Sequence, residues 1–176
     1  MKFLSHAKTS QKLARLFLLL AASLVVLFGV FLLLDKLYPF DTDVSYSTLI
    51  LDDKGQIMNA YLSPDEKWRL YLSPEEITDD LKKAILYKED KYFYQHPGIN
   101  PISIVRALVQ NTLSGRRTSG ASTITMQLAR LLNPKERTYA NKVREMFNAL
   151  QLEYHYSKDD ILRLYLNLLP YGGNIE

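Results

Sequence analysis

The sequence predicts a mainly α-helical domain with a small β region, preceded by one transmembrane helix. The prediction rests on an uncharged apolar run near the N-terminus and on five later segments with a helical spacing of apolar residues. With 47% hydrophobic and 23% charged residues, the chain of 176 residues is not disordered, collagen-like or a polytopic membrane protein. It contains no cysteine, which excludes disulfide frameworks, thiolate metal sites and cysteine nucleophiles.

The transmembrane helix is predicted at residues 16–34. These nineteen residues carry no charge, and at 1.5 Å per residue they nearly cross a hydrocarbon core of about 30 Å. Residues 1–15 carry four cations and no acid, so this end should stay in the cytoplasm. A cleaved signal peptide is the alternative, but its apolar core would be shorter and followed by a small-residue cleavage site. We therefore predict a retained signal anchor.

Four parts are predicted along the chain. They are a cytoplasmic tail (1–15), the signal anchor (16–34), a membrane-proximal β region or linker (35–72) and a helical domain that carries the candidate chemistry (73–176). Short apolar runs separated by turn residues between positions 48 and 72 predict a hairpin or a three-stranded piece.

Five helices are predicted in the helical domain. Ser73 and Asn100, each followed by a proline, are typical N-caps, and three further helices are expected at about 122–132, 138–156 and 157–169. The apolar residues expected to be buried are Ile77, Leu81, Ala84 and Ile85 in the first helix, Ile102, Val105, Leu108 and Val109 in the second, Ile124, Leu128, Leu131 and Leu132 in the third, Tyr139, Val143, Met146, Phe147 and Leu150 in the fourth, and Ile161, Leu164, Tyr165 and Leu168 in the fifth.

Glu89 is the first candidate for chemistry. It falls at the edge of the apolar stripe of the first helix, and a half-buried carboxylate at a helix end can act as a general acid or base. The alternative is that Glu89 and Asp90 form an exposed acidic pair with Lys88 or Lys91. His96, in the turn that follows, is expected to form a structural hydrogen bond.

A second candidate is the polar flank of the third helix. Thr123, Gln127 and Arg130 align there, above a helix start at Ser122 whose free N–H groups and positive dipole suit an anion. The alternative is an ordinary Ser122 cap on a solvated polar face.

Lys142 and Glu145 form the third candidate, beside the apolar stripe of the fourth helix. An i, i+3 pair is by itself typical of a surface salt bridge. The charge around it is unusual, however: residues 101–152 hold eight cations, among them Arg116, Arg117 and Arg137, and two acids, although the net charge of the whole chain is +3.

Together these segments resemble family 51 of the peptidoglycan glycosyltransferases, the transglycosylase module of class A penicillin-binding proteins and of monofunctional transglycosylases. The resemblance covers roughly residues 45–176, and the ending is most similar to the 1C type of penicillin-binding protein. The family's five motifs are matched in order by residues 89–98 (EDKYFYQHPG), 120–130 (GASTITMQLAR), 137–153, 157–167 and 171–176 (YGGNIE). Family members continue past the fifth motif, so the resemblance implies a domain that is incomplete at its C-terminus.

The resemblance implies a lysozyme-like fold and a role for each matched residue. Glu89 would be the general base, and Glu145 the second acid, which organises a leaving pyrophosphate with or without a divalent cation, Mg²⁺ or Mn²⁺. The substrate contacts would be Ser122, Thr123, Gln127, Arg130, Arg137 and Lys142.

The resemblance also implies substrates, partners and a location. The enzyme would polymerise lipid II onto a growing glycan strand, with inversion and release of undecaprenyl pyrophosphate. It would sit in the bacterial cytoplasmic (inner) membrane as a single-pass protein, with its N-terminus inside and its catalytic domain on the periplasmic side. A cell-wall synthesis complex is a candidate partner, and nucleic acid is not expected. The alternatives are a lysozyme-like glycan hydrolase and an inactive module that binds lipid II.

Overall fold

The predicted fold class is confirmed by a computed structural model. The structure describes residues 2–115, 120–172 and 175, and the side chains within those ranges from residue 12 onward. Helices dominate these residues, which also contain one two-stranded sheet and one long N-terminal helix. The chain forms two compact units, Met1–Phe40 and Asp41–Glu176. The finer division into four parts stays a prediction.

The first unit contains helix α1, Lys2–Leu37. The 26 residues Lys12–Leu37 reach a mean hydropathy of 3.0, and none of their apolar window is buried by other parts of the protein. At 1.5 Å per residue this segment is about 39 Å long, which exceeds a hydrocarbon core of about 30 Å. Among the described residues it is the one helix able to cross a membrane by length and composition.

A β-hairpin stands near the beginning of the second unit. Strand β1, Thr48–Leu51, pairs antiparallel with strand β2, Ile57–Tyr61. Asp52 accepts two main-chain N–H groups of the connecting turn, and Gly55 adopts a φ of +78°, which favours glycine. The third apolar run does not form a third strand, since Trp68 makes a single bridge to Ile175.

Helix α2, Asp79–Glu89, begins later than the sequence predicts. Its N-cap is Thr78, whose hydroxyl accepts the N–H of Leu81, and two aspartates in its first turn suit the positive end of the helix dipole. Glu76 still accepts the main-chain N–H of Ser73 at 2.8 Å. That bond closes a turn before the helix, so the predicted start at Ser73 is wrong.

A short 3₁₀ helix, Phe93–Gln95, follows α2, and four longer helices of the described residues build the domain and its core. They are α3 (Pro101–Ser114), α4 (Ile124–Leu132), α5 (Tyr139–His155) and α6 (Lys158–Leu168). Helix α4 packs against both α5 and α6, and Leu128 at its centre is fully buried. Truncating such a residue to alanine costs about 2–5 kcal/mol, so this packing fixes the position of α4 and of the polar residues that it carries.

The predicted burial holds for some helices and fails for others. It is confirmed for Ile124 and Leu128 in α4 and for Ile161, Tyr165 and Leu168 in α6, and Met146, Phe147 and Leu150 of α5 are half-buried. It is wrong for the α3 face and for the start of α5, because Ile102, Val105, Leu108, Val109, Tyr139 and Val143 are between 52% and 89% exposed. The spacing of apolar residues identifies a face, but not whether another element covers it.

Candidate active site

Glu89 is the last residue of α2 and is half-buried. Asp90, directly after it, is buried, and its carboxylate lies 3.0 Å from His96 Nε2 and accepts the N–H of Ile124 at 3.1 Å. Asp90 therefore links the end of α2 to the first turn of α4 through a hydrogen bond. The alternative of an exposed acidic pair is wrong, whereas His96 is the structural hydrogen-bonding residue that was expected.

The start of α4 differs from the prediction. Its N-cap is Thr123 and not Ser122. The Thr123 hydroxyl accepts the N–H of Met126 and donates to the carbonyl of Gly98 at 2.5 Å, and the residue is 2% exposed. The N–H of Ile124 donates to the Asp90 carboxylate and that of Met126 to the Thr123 hydroxyl, so these two groups are already used inside the protein. The predicted anion site at this helix end stays a prediction.

Gln127 connects two helices to Glu89. Its amide nitrogen donates to Glu89 Oε2 at 3.1 Å, and its amide oxygen accepts a hydrogen bond from the hydroxyl of Tyr165 at 3.2 Å. The sequence predicted that Tyr165 lies in the core, but this contact was not predicted. The apolar spacing of α6 places the ring correctly but carries no signal for the partner of its hydroxyl group.

A first cleft, the Glu89 cleft, has a volume of about 380 Å³. It is lined by Glu89 and Asp90 and by the cations Lys88, Lys91 and Arg106, together with Tyr87, Tyr92, Ser103 and residues 120–123. A carboxylate at the rim of an accessible cleft can take a proton from a bound hydroxyl group.

The second cleft, the Glu145 cleft, has a volume of about 340 Å³ and is cationic. Lys142 Nζ donates to Glu145 Oε2 at 2.7 Å and to Ser122 Oγ at 2.9 Å. Arg130 and Arg137 also line this cleft, with Thr138 and Tyr139. Three cations face one carboxylate, so the cleft favours an anionic ligand.

Ser122 lines both clefts, which makes them neighbours. The structure therefore brings the predicted site residues together along α4, from Ser122 before its start to Arg130 in its last turn. Arg116 and Arg117 lie outside the described residues, as do Gly173, Asn174 and Glu176 of the fifth motif.

A hydrogen-bonded network around Glu153 supports the site and was not predicted from the sequence. Glu153 Oε1 accepts hydrogen bonds from the Thr125 hydroxyl at 2.6 Å and from Lys158 Nζ at 2.7 Å. Lys158 also donates to the carbonyl of His96 at 2.7 Å. These contacts join α4, α5 and α6 to the loop after Glu89. They therefore help to fix the position of Glu89 at the end of α2.

The Glu145 cleft does not fit a divalent cation held by the protein alone. The described residues contain no group of three or more His, Asp or Glu side chains that could hold one. Glu145 Oε2 already accepts from the ammonium group of Lys142. A cation at this place would need phosphate oxygens of a ligand for most of its coordination.

A half-buried carboxylate beside a cationic cleft is an arrangement suited to acid–base chemistry on an anionic ligand. Comparison with known proteins gives the family. Residues 54–176 match the model of the Transglycosylase family, and the chain belongs to that family. The predicted resemblance is confirmed.

Three relatives illustrate the relationship. The chain is 41% identical over 143 residues to "Penicillin-binding protein 1C" of Escherichia coli (strain K12), which covers 81% of this chain and 19% of the relative. It is 40% identical over 131 residues to "Penicillin-binding protein 1A" of Clostridium perfringens (strain 13 / Type A), covering 72% and 19%. "Penicillin-binding protein 1A" of Escherichia coli (strain K12) is 34% identical over 173 residues, covering 92% and 20%. The chain thus spans about a fifth of the length of these relatives.

Proposed function

We propose that this domain is a peptidoglycan glycosyltransferase that polymerises lipid II into glycan strands and releases undecaprenyl pyrophosphate. Membership of the Transglycosylase family supports glycosyl transfer. The observation that carries the proposal is the pair of clefts that share Ser122, one with the carboxylate of Glu89 and the other with three cations.

The Glu89 cleft would hold the acceptor sugar. Glu89 acts as the general base: it takes the proton of the 4-hydroxyl of the incoming GlcNAc, and that oxygen attacks C1 of MurNAc with inversion. Gln127 provides the one hydrogen bond to the Glu89 carboxylate among the described residues, and it reaches Oε2. The second carboxylate oxygen is thereby left for the acceptor hydroxyl.

The Glu145 cleft would hold the leaving group. Negative charge builds up on the pyrophosphate as the C1–O bond breaks, and Arg130, Arg137 and Lys142 stabilise that charge. Ser122 and Glu145 position the Lys142 ammonium group. Mg²⁺ or Mn²⁺ at Glu145 stays a prediction, which titration of the reaction rate with either metal tests. Thr123 contributes by fixing the start of α4, since its hydroxyl is used inside the protein.

The membrane would confine enzyme and substrate to one surface. The apolar segment Lys12–Leu37 supports an anchor in the bacterial inner membrane. The four cations of residues 1–15 support a cytoplasmic N-terminus with the catalytic domain on the periplasmic side. A cell-wall synthesis complex is the protein partner that this placement makes accessible.

The proposal can be tested by incubating the full-length protein with lipid II. Glycosyl transfer predicts glycan polymer together with free lipid pyrophosphate. New reducing ends from preformed glycan would instead support the hydrolase, although a neutral glycan needs no cationic cleft. Binding of lipid II without either product would support an inactive binding module.

A further inference from the structure

A continuous hydrogen-bonded chain runs from the core to the proposed base. Tyr165 on α6 donates to Gln127 on α4, and Gln127 donates to Glu89 at the end of α2. Three helices that are distant in sequence thus meet at one carboxylate. Gln127 is half-buried, whereas Tyr165 is 0% exposed.

Tyr165 is a fixed and permanently protonated hydrogen-bond donor. Its ring is held in the packed interface of α4 and α6, which leaves it little rotational freedom. Burial, and after it the charge of Glu89, raises the pKa of Tyr165 to about 12. The hydroxyl therefore keeps its proton at neutral pH.

The orientation of the Gln127 amide determines whether its NH₂ group or its carbonyl oxygen faces the Glu89 carboxylate. An amide has a donor end and an acceptor end, and rotation by 180° would exchange them. With the oxygen toward Tyr165, the NH₂ group faces Glu89 and stabilises the ionised carboxylate. With the amide reversed, a carbonyl oxygen would face the carboxylate and repel its charged form.

We propose that Tyr165 is a positioning residue, which holds the Gln127 amide so that its NH₂ group faces Glu89 and fixes the position of the base. The inference rests on the proposed function, in which Glu89 is the general base. Tyr165 touches no substrate in this account and acts through Gln127 alone.

Other charged groups near Glu89 also affect how the reaction rate depends on pH. The charged and titratable groups around this carboxylate and its hydrogen-bonded partners are Lys88, Asp90 and Lys91 next to Glu89, Arg106 of α3, Arg130 of α4, and Tyr87, Tyr92, Tyr165 and Tyr171. Tyr165→Phe leaves all of them in place except the hydroxyl group that it removes.

The test compares Tyr165→Phe with Tyr156→Phe in the full protein that its gene encodes. Tyr156 is a matched control, because its part-buried hydroxyl bonds to Thr42 at 2.5 Å and lies outside both clefts. Tyr165→Phe should lower kcat for lipid II polymerisation by about five- to tenfold, the factor expected for one lost hydrogen bond, with KM almost unchanged. The acidic limb of the pH–rate profile should move to higher pH, because the base loses a donor that favours its charged form.

A double-mutant cycle separates positioning from general support of the fold. In a Gln127→Ala background, Tyr165→Phe should cause no further loss of kcat, because the connecting amide is already gone. If Tyr165→Phe does not fold, Gln127→Asn, whose shorter amide cannot span both partners, should produce the same displacement of the acidic limb.

Two results would overturn the inference. One is an unshifted pH–rate profile in folded Tyr165→Phe or Gln127→Asn, and the other is an equal loss of kcat with and without Gln127. Either result, with Glu89→Gln inactive, would reject the positioning role and leave the proposed base intact. Full activity of Glu89→Gln would instead reject the assignment of the base itself.

Discussion

Removing the charge of Lys142 is a direct test of the cationic cleft. Lys142→Met retains most of the aliphatic stem and leaves two cations, Arg130 and Arg137, facing Glu145. A hydrogen bond to a charged group contributes about 1.5–3 kcal/mol. Because the Lys142 side chain is 39% exposed, solvent screening favours the lower end, about 1.5–2 kcal/mol. We therefore expect kcat/KM for lipid II polymerisation to fall by about 10–30-fold.

Initial rates measured over a range of lipid II concentrations give this ratio. The matched control is Lys82→Met, since Lys82 is 36% exposed and also forms an i, i+3 pair, with Asp79 at 3.8 Å. Lys82 lies outside the Glu89 and Glu145 clefts, so its replacement should leave the rate within about twofold. A Lys142→Met enzyme as active as the control variant would refute the role of the cleft in binding the leaving group.

Two further predictions concern stability. Gly98→Ala should lower the free energy of unfolding in urea by about 1–3 kcal/mol, because Gly98 has a φ of +78° and a Cβ there would lie 2.8 Å from Glu153 Cγ. The control is Gly55→Ala, which has the same φ but open space around the Cβ and should lower the free energy of unfolding by less. Hydrogen bonds from Arg69 hold the pKa of Asp65 below its usual value, so this pair stabilises the fold above the unfolded pKa of about 3.9 and loses its effect as the pH falls. In Asp65→Asn, the free energy of unfolding should therefore decrease less between about pH 5 and pH 3 than in the wild-type protein. The difference should be less than about 1 kcal/mol, because Asp65 is 53% exposed. An unchanged pH dependence of the free energy of unfolding would contradict this prediction.

The helices and the candidate residues were largely predictable from the sequence because both leave local signals. Among the described residues, apolar spacing located the five α-helices of the domain but not the short 3₁₀ helix Phe93–Gln95, and Glu89 could be placed at the edge of the α2 stripe. The cap of α4 was not predictable, since Ser122 and Thr123 are both good caps and the choice depends on Gly98, which is distant in sequence.

The contacts that assemble the site depend on tertiary packing and leave no local signal. The sequence alone favours an exposed Asp90, yet its carboxylate accepts the main-chain N–H of Ile124, 34 residues later, at the start of α4. Ile102 has the spacing of a core residue, yet it is 81% exposed, because periodicity does not show which element covers a face. The hydroxyl of Tyr165 finds Gln127 only through the packing of α6 on α4.

The central claim is that Glu89 is the base that activates the acceptor hydroxyl. Its most direct test is the rate of lipid II polymerisation by Glu89→Gln, which keeps the size of the side chain but removes the proton acceptor, alongside Glu75→Gln at an exposed site. The account predicts a loss of about 10²–10⁴-fold in kcat for Glu89→Gln, with lipid II binding retained and the control variant fully active. A Glu89→Gln enzyme that polymerises lipid II at the wild-type rate would contradict it.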